Sequence, residues 1–121
     1  MAVYKLFPSS DTTLYSYYPT VNTGIDAMLE ISTSNSQTSV PAVARTLIKF
    51  DSNEISELFD QYIIETPYKV FLKTSIATAQ GLNDDIFLEI YPAAQEWKNG
   101  TGRLGDQPSV TDGVSWELAI H

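Results

Sequence analysis

Between Ala44 and Asp51 the side chains alternate. Thr46, Ile48 and Phe50 fall on one face; Arg45, Leu47 and Lys49 fall on the other. A period of two over this length is that of a half-buried strand. The β-branched Thr46 and Ile48 and the aromatic Phe50 suit a pleated surface. At Asp51 the period changes. Asp51 and Glu54 stand at capping-box spacing, and Ile55, Leu58, Phe59 and Tyr62 follow at helical spacing. The sequence therefore predicts a core strand running into one short amphipathic helix over about 52–62.

Other stretches read as strands punctuated by turns. Val3 to Phe7 is a short strand stopped by Pro8, and Ser9-Ser10-Asp11 is turn chemistry. Thr12 to Tyr17 is a second strand. Pro19 to Gly24 is a loop in which Asn22 and Gly24 are expected at positive φ. Met28 to Thr33 is a weaker strand, and Ser34 to Ser39 a polar loop. Tyr68 to Thr78 is the longest predicted strand, with Val70, Leu72, Thr74 and Ile76 on one face. Ile86 to Tyr91, with Ile86, Leu88 and Ile90 aligned, is expected to pair with it antiparallel. The expected core is Leu47, Ile48, Phe50, Val70, Leu72, Ile76, Leu88 and Ile90. Short strands with frequent turns and a single helix argue for an all-β chain folded as one antiparallel β-sandwich domain over 1–121.

Charge narrows the function classes. Seven Lys and Arg face fifteen Asp and Glu, a formal net charge of −8. Such a surface repels phosphate and anionic lipid, so neither nucleic acid nor membrane is an expected partner. The 121 residues contain no cysteine, which removes disulfides and thiol chemistry. No apolar run approaches the roughly 18 residues of a membrane span. The opening Met1-Ala2-Val3-Tyr4-Lys5 lacks the layout of a signal peptide. His121 is the sole histidine, which leaves no internal base for a triad. Glu54, Glu57 and Asp60 read as solvated helix charges rather than a glycosidase pair. Asn83, Asp84 and Asp85, near Gly81, offer calcium-type oxygen ligands without the spacing of a dedicated loop, and turn chemistry is the better reading. No cofactor and no catalytic residue is expected.

Aromatic residues supply the candidate contacts. Sugars stack on exposed rings, and Tyr15, Tyr17, Tyr18, Trp97 and Trp116 are available. Tryptophans in sandwiches more often plug the core, and that is the expectation for Trp97 and Trp116. Tyr17 and Tyr18, beside Pro19, are the better candidates for exposure. Tyr17, Tyr18 and Trp97 are the residues singled out for contact with a glycan or a protein partner. Arg45 and Lys49 are expected to pair with carboxylates.

Four segments together resemble DNRLRE-type domains. Phe7-Pro8-Ser9-Ser10-Asp11-Thr12-Thr13-Leu14-Tyr15, followed by Asn22-Thr23-Gly24, is similar to their opening strand and Asn-x-Gly loop. Ala44-Arg45-Thr46-Leu47-Ile48-Lys49-Phe50-Asp51 is similar to their Arg-x-Leu-Ile-Lys-Phe-Asp strand. Glu96-Trp97-Lys98-Asn99-Gly100-Thr101-Gly102 and Asp112-Gly113-Val114-Ser115-Trp116 are similar to their Trp-x-x-Gly-Thr and Asp-Gly-Val-x-Trp segments. The resemblance implies a jelly-roll β-sandwich related to carbohydrate-binding modules, found in secreted proteins and in virions of tailed phages, marine phages included. It carries over no catalytic residue. It implies further strands beyond Trp116, so the sandwich is expected to be incomplete at its C-terminal end or closed by a neighbouring chain. The expected function is that of a non-catalytic virion structural protein partnered by copies of itself or by other virion proteins. A carbohydrate-binding module is the rival reading, and a glycan-cleaving enzyme a weaker third.

Overall fold

The computed structural model describes residues 2–34, 42–63, 67–79 and 87–118. Three strands and one helix are formed there: β1 (Ser10–Tyr15), β2 (Ser32–Ser34), β3 (Ala42–Lys49) and α1 (Ser52–Tyr62). The strands make one antiparallel sheet in the order β1-β3-β2, so the strand with the clearest alternation lies at its centre. Thr12 faces Leu47, Thr13 faces Thr46 and Tyr15 faces Ala44 across the β1–β3 ladder. Ser32 faces Ala44 and Thr33 faces Val43 across the β2–β3 ladder.

The helix begins where the sequence places it. Asp51 is extended and caps α1, its carboxylate accepting from the Asn53 N–H at 2.8 Å. That satisfies one of the donors left over in the first turn. Ile55, Leu58 and Phe59 are half-buried, and α1 buries no residue fully.

The core is small and mostly polar. Its buried apolar members are Tyr15, Val21, Ala44 and Val114; its buried polar ones are Thr12, Thr13, Asn22, Thr23 and Ser115. Thr23 shows how hydroxyls substitute for a missing strand. Its Oγ1 accepts from the Thr13 N–H at 3.1 Å and donates to the Thr13 carbonyl at 2.7 Å. One side chain thus occupies both outward backbone groups of β1 at this point, and the edge is closed to another strand there.

Several expectations are corrected. Val3 to Phe7 and Met28 to Ile31 form no strand, and β1 ends at Tyr15, before Tyr17. Tyr68 to Thr78 and the described residues of Ile86 to Tyr91 form no strand either, so among the described residues the expected antiparallel pair is not formed. Val70 and Ile76 are 82% and 78% exposed, and Leu72, Leu88 and Ile90 are also exposed rather than in the core. Leu47, Ile48 and Phe50 are half-buried. Alternation records which residues suit a pleated face, but a strand exists only where a partner backbone completes its hydrogen bonds. Among the described residues 67–79 and 87–91 meet no such partner.

Candidate functional site

The centre of the structure is Asn22. Its side chain is fully buried and uses its whole hydrogen-bonding capacity. Nδ2 donates to the Asn99 carbonyl at 2.8 Å and to the Val114 carbonyl at 2.9 Å. Oδ1 accepts from the Gly24 N–H at 3.1 Å and the Gly102 N–H at 2.9 Å. Three segments far apart in sequence are tied by one amide. Asn99 reinforces the tie by donating from Nδ2 to the Gly24 carbonyl at 2.6 Å. Backbone bonds follow the same seams, from Asn22 N–H to the Val110 carbonyl and from Ile25 N–H to the Gly102 carbonyl.

The close approach dictates the glycines. A Cβ on Gly24 would strike the Asn99 carbonyl. Gly100 has φ +78°, a left-handed conformation that side chains resist. Positive φ is expected from the sequence at Asn22 and Gly24; among the described residues it is found at Gly100, and Gly24 is instead required for proximity.

A second cluster lies on the sheet. Glu30 crosses the Thr13–Thr46 pair, its N–H donating to the Thr13 hydroxyl at 3.1 Å and its carbonyl accepting from the Thr46 hydroxyl at 3.0 Å. Its carboxylate accepts from the Tyr15 hydroxyl at 3.0 Å and from the Ser32 hydroxyl at 2.8 Å. Burial, then the hydrogen bond to Glu30 and its charge, push the Tyr15 phenol well above the ordinary tyrosine range. Burial, then the same charge, raises Tyr17 too. The ring of Tyr17 lies 5.5 Å from that of Tyr15 and 4.8 Å from that of Tyr18. Tyr17 and Tyr18 are about half exposed, at 45% and 48%, so both present an open ring, that of Tyr17 near the Glu30 carboxylate.

Trp97 belongs to neither cluster. It is half-buried and lines a groove of about 610 Å³ with Ile48, Phe50, Ile55, Ala93 and Ala94. Neither Tyr17 nor Tyr18 lines that groove. Lys49 and Glu96 also line the groove, joined by an ion pair of 2.8 Å. That contact holds the Glu96 carboxyl below its usual range. Lys49 thus has the carboxylate partner expected of it. Among the described residues Arg45 does not; its guanidinium lies over the Trp116 ring, 5.1 Å from the centroid. Trp116 is half-buried rather than fully in the core.

Asn83, Asp84 and Asp85 lie outside the described residues, as does His121. Among the described residues no three His, Cys, Asp or Glu side chains gather as a metal site. No described helix is long and apolar enough to cross a membrane. Set against known protein families, curated proteins and solved structures, the chain matches none.

Residue types alone give little sign of Asn22, Glu30 or the Arg45–Trp116 contact. Asn22 sits in an ordinary loop sequence, and its partners lie 77, 80 and 92 residues away. The resemblance, by contrast, quotes all three segments that meet there.

Proposed function

We propose that the chain is a non-catalytic virion structural protein of a tailed phage, a jelly-roll-like β-sandwich module working by protein–protein assembly at the capsid, neck or tail surface. The observation that carries this reading is unburied apolar surface. Phe87 is 89% exposed, and Val70, Phe71, Ile76 and Ile90 are comparably open, in stretches whose alternation calls for strands. A sandwich whose second layer is supplied by neighbours would cover these side chains. The resemblance to DNRLRE-type domains adds the virion context. Mass photometry and electron microscopy of the purified chain, alone and mixed with virion proteins, test it. A defined assembly is expected; a chain that stays monomeric in every mixture overturns the reading.

Tyr17 and Tyr18 support a second reading. Two adjacent open rings, that of Tyr17 near the Glu30 carboxylate, are the furniture of a sugar-binding surface, so a carbohydrate-binding module is the alternative. A glycan array with Tyr17→Ala, Tyr18→Ala and Trp97→Ala variants separates the two. Binding lost in the tyrosine variants favours the module; no binding to any glycan excludes it.

A further inference from the structure

We propose that Asn99–Gly100 is a site of spontaneous modification, deamidation through a cyclic imide, and that the hydrogen bonds around Asn22 hold it unreacted in the folded chain. Of the five asparagines, only Asn99 precedes a glycine. Glycine has no side chain to shield its backbone nitrogen, so this pair is the most open of the five to attack from within the chain. The Gly100 nitrogen attacks Asn99 Cγ. A nitrogen–Cγ bond forms, the Cγ–Nδ2 bond breaks, and the Gly100 proton leaves with Nδ2 as ammonia. One water then opens the imide at either carbonyl, giving aspartate or isoaspartate. The net change is amide plus water to carboxylate plus ammonium; nothing is oxidised or reduced.

In the folded chain both partners of that reaction are pinned. Asn99 Nδ2, the leaving group, donates to the Gly24 carbonyl at 2.6 Å. The Asn99 carbonyl shares a rigid peptide unit with the Gly100 nitrogen, and it accepts from Asn22 Nδ2 at 2.8 Å. Gly100 is fixed at φ +78°, and a Cβ on Gly113 would strike its nitrogen. Ring closure turns the peptide unit or draws Cγ toward it, and either motion works against one of these two hydrogen bonds. The reaction therefore proceeds from the opened chain, at a rate set by the open population. It is also one-way. An aspartate at position 99 sets an oxygen where Nδ2 donated, against the Gly24 carbonyl. Asn99 Oδ1 is buried and has no hydrogen-bond partner among the described residues, so nothing there receives the new charge. Isoaspartate also lengthens the backbone by one carbon, where Gly24, Gly100 and Gly113 leave no slack.

Peptide mass mapping of the full chain, incubated at mildly alkaline pH, tests the proposal. In guanidinium chloride above the unfolding midpoint, Asn99 is expected to deamidate ahead of the other four asparagines. In native buffer its rate is expected to fall at least about tenfold, and to climb with denaturant below the midpoint as the open population grows. Asn22→Ala should raise the native-buffer rate at least about tenfold. The denaturant series on wild type reads the same gating if that variant fails to fold. Chain deamidated at Asn99 and returned to native buffer should not recover the wild-type tryptophan fluorescence or unfolding midpoint. Comparable rates in native buffer and in denaturant overturn the proposal. So does an Asn99 that lags another asparagine in denaturant, and so does a deamidated chain that refolds with the wild-type midpoint.

Discussion

Replacing Asn22 with alanine should cost most of the stability of the fold. The substitution removes four hydrogen bonds of 2.8 to 3.1 Å from a fully buried side chain. It leaves the Asn99 and Val114 carbonyls and the Gly24 and Gly102 N–H groups without that partner. Each buried backbone group so orphaned costs about 1–3 kcal/mol. Four at the lower limit give a loss of about 4 kcal/mol, against a typical total of about 5–15 kcal/mol. Urea unfolding followed by tryptophan fluorescence measures it directly, because Trp97 and Trp116 flank the segments that Asn22 ties. The midpoint should fall by about 2 M. A loss below about 1 kcal/mol would refute the claim that this amide holds the three segments together. Asn22→Asp sharpens the test. It keeps the shape and one acceptor but sets a carboxylate against two carbonyls. Only the neutral acid fits, so its folded pKa is raised above the unfolded value. Stability of this variant should therefore rise as pH falls through the folded pKa toward the unfolded one. The opposite trend would show that the site tolerates charge.

Gly24→Ala should destabilise by about 2–3 kcal/mol because its Cβ meets backbone rather than a movable side chain; Gly105→Ala, with nothing within 4 Å, is the neutral control in the same urea assay. Tyr15 should ionise after the other tyrosines in an absorbance titration, and Tyr15→Phe should remove that late phase. Since its folded pKa is raised, the stability it contributes is full below the unfolded value of 10.0 and is lost as pH rises above it. Asp112 behaves oppositely. The Thr101 hydroxyl at 2.7 Å and N–H at 2.9 Å hold its carboxyl low. Its contribution is present above the unfolded value and lost as pH falls through the folded one, so Asp112→Asn should flatten acid unfolding monitored by circular dichroism.

Local signals were legible and distant ones were not. Alternation placed β3 at the centre of the sheet, and Asp51 with the spacing of Ile55, Leu58 and Phe59 placed α1 at Ser52–Tyr62. Both depend on neighbours within a few residues. The alternation of Val70, Leu72, Thr74 and Ile76 was as clear as that of β3, yet the segment makes no ladder. What distinguishes the two is a partner strand, which periodicity does not encode. Arg45 illustrates the same limit: its charge predicted a carboxylate, but the Trp116 ring was brought within reach by the fold. For the candidate contacts, Pro19 correctly marked Tyr17 and Tyr18 as open, while Trp97 fell in a separate groove that no local pattern announces.

The reach of the Asn22 amide also sets an order of events during synthesis. Its carbonyl partners lie 77 and 92 residues downstream. Closing loops of that length costs about 4 kcal/mol of chain entropy before the first bond forms. On a ribosome, β1 and β3 can pair early, but Asn22 has no distant partner until Asn99 and Gly102 have emerged from the exit tunnel, and its set is complete only once Val114 follows. Until then the nascent chain carries an incompletely satisfied polar centre together with exposed apolar stretches, and a chaperone able to shield them would find its client there.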